Sequence, residues 1–517
     1  MNCPCHLAVE LRRADRATLR VLSNQAPATR RSDSCAWPRS WSIGLALMLW
    51  LCSGPACAQW PVGQLDALAQ AFATGISGGY KVTAYPWRFM ATCSATYCFN
   101  NNPDGTYGMP DFGMQPGQAV AARTLAPTGA LVLVMETPPP MRYFGVTPYI
   151  FTKYYADPPG RPSQPTTVTV FESLTDTTNL VVIGTTGSAV PGSNVHTQLS
   201  VFVVTADAQT YGEIARQFLS LGFPAYAINQ LDLPLAVEPA VPLKMGTSPR
   251  SDTYAVLLRL TYPEDAARMA DYVQRAPVRS FYVSPRLARA VSLLAPTVYR
   301  VPGSGQAEPG ELSAAQGQLV NLLLARYGDE YARITELQVP VMQTRNYAAV
   351  ARGASANGDN PDALYTAAGR GSLAPAFDDR ILVVGVNHGA IPDGTGKATY
   401  FSHSLTVAEN GDGVLSVPDT WLAGTALTAA GITDPGDPRF ATYRRLYAFT
   451  MGYNCPSGDT LCVTIPQPTP EGGVAIGTPV RLVGRIYLDP ATRTRPSRDE
   501  ITFERAFFMS NATARPR

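Results

Sequence analysis

The sequence predicts an α+β protein: a β-rich body carrying a ferredoxin-like β-α-β/β-α-β module and one long helix. Three observations point there. Short apolar runs bounded by Gly, Pro, Asp or Thr recur along the chain and read as strands. Two strand–helix–strand patterns follow one another between 198 and 286, each of roughly the 30 residues such a unit takes. One stretch of helical spacing, 311–337, is far longer than the other helical segments.

Composition sets the limits. A chain of 517 residues exceeds what one core normally organises. Charged residues make up 15%, against about a quarter in average usage. Forty-five prolines and 43 glycines add many turns. A formal charge of +2 excludes a nucleic-acid partner bound by phosphate neutralisation. The partner expected instead is a small-molecule or polymer ligand.

Residues 1–58 read as a signal peptide and leader. Arg30, Arg31 and Arg39 precede the apolar run 43–52, and Ala56-Cys57-Ala58 supplies a small-residue cleavage site before Gln59. The run is too short for a permanent span, which needs about 20 residues. The expected address is therefore secreted or periplasmic. Loss of the leader removes seven arginines and three acids, turning the charge from +2 to −2. Four cysteines remain: Cys93, Cys98, Cys455 and Cys462. An even count in an exported chain reads as two disulfides, most simply 93–98 and 455–462.

Region 59–197 opens with a helix near 64–75, then a loop-rich segment, then strands at 130–135, 142–155, 166–171 and 180–183. Region 198–286 is the proposed module. Its first helix is capped by Asp207 and puts Tyr211, Ile214, Phe218 and Leu221 on one face. Its second opens with the capping box Thr261-x-x-Glu264 and carries Ala266, Met269 and Val273 inward. Region 287–376 holds a Pro/Gly-rich linker, the long helix and a surface loop at 352–376. Region 377–517 is β-rich again, with strands at 381–386, 398–407, 461–465 and 480–488.

Chemistry is expected from four residues: His388 and Glu136 at strand ends, Asp378 before a buried strand, and Arg142 opening an aromatic segment. They suit an acid/base pair. If 392–396 closes a hairpin, His388 lies opposite Tyr400, and His403 sits about 10 Å away on the other face. Nucleophile and phosphate-loop strings fail on context. Gly75-x-Ser77-x-Gly79 follows a helix rather than a strand, and Gly394–Lys397 lacks the following Ser or Thr.

One echo is more specific: Asn102–Asp111 and Asn410–Asp419 both read N-x-D-G-x4-P-D. Extended to Asn100, the first copy sets Asn100, Asn102, Asp104, Thr106 and Asp111 at calcium-loop positions 1, 3, 5, 7 and 12. Calcium is the metal those hard oxygen donors would take. Two functions fit the whole: an exported hydrolase-like enzyme with an acid/base pair, or a non-catalytic envelope protein that binds a ligand.

Overall fold

The computed structural model describes residues 60–511, apart from 91–99, 114–121, 158–163, 237–240, 296–297 and 470–471. The leader with its cleavage site, and the Cys93–Cys98 pair, lie outside the described residues. The rest is a β-rich α+β fold of four open sheets with helices packed against two of them.

Apart from the two-residue strand Thr178–Asn179, which pairs with Gly145 and Val146, the described strands divide into two sets of ten. The first set follows α1 (Leu65–Ile76): β1 (Tyr80–Tyr85), β2 (Trp87–Met90), β3 (Gly105–Pro110), β4 (Ala130–Glu136), β5 (Met141–Tyr155), β6 (Thr166–Ser173), β7 (Leu199–Thr205), β8 (Ile228–Asp232), β9 (Thr253–Pro263) and β10 (Val278–Pro285). Helices α2 (Ala208–Ser220) and α3 (Ala266–Arg275) follow β7 and β9. The second set follows α4 (Gly310–Gly328): β11 (Arg333–Leu337), β12 (Val341–Met342), β13 (Ala363–Leu373), β14 (Arg380–Val386), β15 (Tyr400–Val407), β16 (Gly413–Pro418), β17 (Leu446–Gly452), β18 (Cys462–Thr464), β19 (Val480–Tyr487) and β20 (Arg505–Ser510).

The two sets have one topology. In the first half the sheets run β1-β10-β4-β7-β8 and β2-β3-β9-β5-β6. In the second they run β11-β20-β14-β17-β18 and β12-β13-β19-β15-β16. Every second-half strand carries the number of its counterpart plus ten. Even the exceptional parallel pair recurs, β7 with β8 and β17 with β18. The second parallel crossover is short, and the Cys455–Cys462 disulfide closes it.

Each half buries its first sheet on both faces, as its strand sequences require. In β4, Ala130, Val132 and Val134 pack with Phe72 of α1 and Phe218 of α2. Leu131, Leu133 and Met135 face the second sheet and meet Phe144 and Leu258. Helix α2 is fixed as expected, since the Asp207 carboxylate accepts from the Thr210 amide and its face buries Ile214 and Phe218. In the second half, Leu382, Val384 and Val386 of β14 face α4, while Ile381 and Val383 face the second sheet.

Several expectations are corrected. The ferredoxin-like module does not close as one sheet: β7, β8 and β10 share the first sheet, but β9 pairs with β3 and β5 in the second. The reason is that β9 is apolar on both faces, with Leu258 and Leu260 in one cluster and Ala255 and Leu257 in another. The long helix ends at Gly328, and 333–337 is strand. The supposed loop 352–376 contains β13. Finally, β14 and β15 lie in different sheets, so 392–396 is not a hairpin turn.

Candidate functional site

Crossing between sheets changes where the histidines point. His388 follows β14 and His403 lies in β15, and both turn into the space between the two second-half sheets. They sit on either side of Phe401, with ring centroids 4.8 and 5.1 Å from it. The expected separation onto opposite faces of one sheet is therefore overturned.

Both histidines are fully buried. The His388 Nδ1 atom lies 2.7 Å from Glu308 Oε1. Glu308 also accepts from the Thr395 hydroxyl at 2.6 Å and the Thr502 amide at 2.8 Å. Burial alone would raise this carboxyl, but His388 and the other donors outweigh it and hold Glu308 below the usual range. His388 Nε2 is buried without a partner among the described residues.

Behind Phe401, His403 Nε2 lies 2.5 Å from the Tyr447 hydroxyl. Burial, with His388 and Arg485 adding repulsion, pushes the His403 imidazole down to about 3, so it is neutral. Glu504 is buried beside it and accepts from the Thr366 hydroxyl. Burial pushes Glu504 above the usual carboxylate range, against the opposing pull of Thr366 and His388. Two glycines make the space. A Cβ at Gly484 would stand 2.2 Å from Thr366 Oγ1 and 2.9 Å from Glu504 Oε1. One at Gly385 would stand 2.3 Å from the Tyr447 hydroxyl.

The duplicated fold supplies an internal comparison. The strand register aligns the row Gly108–Leu258–Val146 with Thr366–Gly484–His403. It likewise aligns the facing pair Met135–Ser200 with Gly385–Tyr447. The first half fills this space with Leu258, Val146 and Met135, all buried. The second half substitutes glycine at two of the large positions and inserts a histidine, a threonine and a tyrosine. The topology folds around an apolar core here, so the polar cluster is not a requirement of the fold.

Among the four expected catalytic residues, two share a neighbourhood. Arg142 pairs with the buried Asp419 at 2.9 Å and donates to the Thr399 carbonyl at 2.7 Å. The Asn387 amide donates to the Asp419 carbonyl at 2.8 Å, which joins Arg142 to the residue beside His388. The other two lie elsewhere. Asp378 precedes β14 at the far end from His388, about 20 Å of strand away, and accepts from the exposed Asn454 amide. Glu136 is held by Arg275 at 3.1 Å, beside a cleft of about 390 Å³ lined also by Arg268, Asp271 and Tyr272. Sequence reasoning missed Glu308, Glu504, Thr366 and Tyr447. No motif marks them, because they converge from four separate segments.

The calcium donors do not converge. Residues 105–110 run extended as β3 and carry Asp111 roughly 20 Å from Asp104. The Asn100 carbonyl accepts from Arg485, Asp104 accepts from Tyr400, and Asp111 pairs with Arg88. Thr106 sits in the β3 ladder opposite Leu260. Among the described residues, no group of three or more His, Cys, Asp or Glu is arranged to hold a metal.

No family model matches the chain, and no curated protein matches it. Among solved structures, it is similar to a putative uncharacterized protein from Burkholderia cenocepacia, at 10% identity over 86% of this chain and 87% of that one, with a TM-score of 0.36. It is also similar to the VPA0106 protein from Vibrio parahaemolyticus, at 11% identity over 87% of this chain and 97% of that one, with a TM-score of 0.33.

Proposed function

We propose that the protein is an exported acid/base enzyme of the hydrolase type, acting through His388, Glu308 and Glu504 rather than through a Ser or Cys nucleophile. One observation carries this reading: two buried carboxyls in the same half flank the His388 region in opposite surroundings. Glu308 accepts three donors and is held below the usual carboxylate range, whereas Glu504 accepts one hydroxyl and burial pushes it above that range. Surroundings that drive two carboxyls apart in this way divide acid from base. Glu308 accepts the hydrogen bond from the Nδ1–H of His388 and so fixes its tautomer, leaving Nε2 as the proton acceptor. Glu504, the carboxyl whose burial favours its neutral form, is assigned the role of proton donor to a leaving group. The contrast with the apolar first half supports a chemical rather than a structural role.

Export is part of the proposal. The leader's residue order argues for it, and the Cys455–Cys462 disulfide suits an oxidising compartment. No described helix is long and apolar enough to cross a membrane.

The test is a panel of chromogenic esters, amides and glycosides assayed with the native protein and with His388→Gln and Glu504→Gln. Turnover of one class should fall at least about 100-fold in each variant, in keeping with loss of a general acid or base. Turnover that survives unchanged in His388→Gln, or no turnover in any class, overturns the reading. A non-catalytic ligand binder is the second reading, favoured by the open cleft beside Glu136 and Arg275. Equilibrium binding lost in Arg275→Ala, with no turnover, would establish it.

A further inference from the structure

We infer that the segment 301–309, which joins the two halves, is a removable strap over His388. The inference deepens the acid/base reading above and rests on it. Of the strap's residues only Glu308 is buried, and its carboxylate is the group in contact with His388 Nδ1. Residues 304–307 are exposed, and Val301 is 78% exposed, so apolar burial hardly holds the segment down. Gly303 and Gly305 have φ of +91° and +77°, turns that only glycine adopts at little cost.

Beyond the Thr395 and Thr502 donors on the Glu308 carboxylate, the attachments are few and polar. Glu500 accepts from the Gly305 amide through its side chain and from the Glu308 amide through its carbonyl, the latter at 2.9 Å. Lys397 donates to the Ser304 hydroxyl at 3.0 Å and to Glu500 at 3.1 Å. Asp489 lies 3.9 Å from the same ammonium. A surface segment held this way opens at far lower free energy than the sheets beneath it. Lifting it withdraws Glu308 and exposes His388. His403 stays covered, because Phe401, Tyr447 and Phe449 pack against its ring.

Access is read by carbethoxylation of the full chain with diethyl pyrocarbonate, followed by peptide mass spectrometry. Lys397→Ala should raise the His388 labelling rate at least five-fold while His403 and His196 keep their native rates. Ser304→Ala unlatches the strap from its own side and should do the same if Lys397→Ala fails to fold. Arg439→Ala, remote and exposed, is the control. An unchanged His388 rate in folded Lys397→Ala and Ser304→Ala, or His388 and His403 rising together, overturns the strap. The readout needs no turnover. A chain silent on every substrate but unlatched by these variants keeps the strap and loses the enzyme. The reverse pattern loses the strap alone.

Discussion

The Tyr400 hydroxyl donates to the Asp104 carboxylate across 2.6 Å, joining residues from opposite halves of the chain. The relationship is reciprocal. Tyr143, the counterpart of Tyr400, donates to Asp362, the counterpart of Asp104. Asn102 and Asn360 each donate to the tyrosine they face, at 3.4 and 2.9 Å. The buried arginines repeat the exchange: Arg259 donates to the Gly358 carbonyl at 2.7 Å and Arg485 to the Asn100 carbonyl at 2.8 Å. This is the pattern of an isologous interface, here between two halves of one chain.

Tyr143→Phe and Tyr400→Phe should therefore each destabilise the protein by about 1–2 kcal/mol, because each leaves a carboxylate without one donor. Urea unfolding measures it. Midpoints unmoved in both variants would mean that the exchange contributes nothing to joining the halves.

His403→Val copies the first half's Val146 and should leave the fold intact. The neutral, buried imidazole costs stability as the pH falls, since the unfolded chain gains a proton near 6.5 and the folded chain only near 3. Across that window the native protein should lose up to about 1.4 kcal/mol per pH unit from this residue. The variant should match the native melting temperature at pH 7 and exceed it at pH 5. A large loss at pH 7 would show that the cluster is structural.

Glu172 and Asp359 meet at the seam between the halves. Asp359 accepts from the Ser173 amide and hydroxyl and from the Arg345 amide, while both Glu172 oxygens are buried without a hydrogen-bond donor among the described residues. Burial first, then Asp359, pushes Glu172 up to about 9. A raised acid favours the folded state below its unfolded value and loses that advantage as pH climbs towards the folded one. Stability should fall between about pH 5 and 9, and Glu172→Gln should flatten the decline. Parallel curves for both proteins would remove Glu172 as the cause.

Arg142→Gln should cost about 3–5 kcal/mol, because Asp419 is fully buried and would lose its cation. Asp419→Asn in the same background should recover much of that loss. Additive costs in calorimetry would show that the two residues do not act as a pair.

Cys455→Ser with Cys462→Ser should cost about 2 kcal/mol. The closed loop is short, so the entropy taken from the unfolded chain is small. Calorimetry of the double variant against the oxidised native protein decides it, and a loss above about 4 kcal/mol would point to a larger role for the β17–β18 crossover.

Local signals carried the elements, and tertiary pairing carried everything built from them. Apolar runs located β4, β7, β9, β14 and β19, and Asp207 marked the start of α2, because burial and capping are written in neighbouring residues. The duplication was legible too, in Asn102-Pro-Asp104-x-x-Tyr107 and Asn360-Pro-Asp362-x-x-Tyr365. The loop-like composition of 352–376 masks it, and the longer match at Asn410–Asp419 is the more conspicuous of the two. Only the folded chain decided which sheet β9 and β15 join, since an apolar strand fits either sheet equally well until its partners are present. The same holds for the site. His388 stood out by its place at a strand end, but Glu308 reaches it from 80 residues away and His403 neighbours it only through Phe401, relationships that no local pattern records.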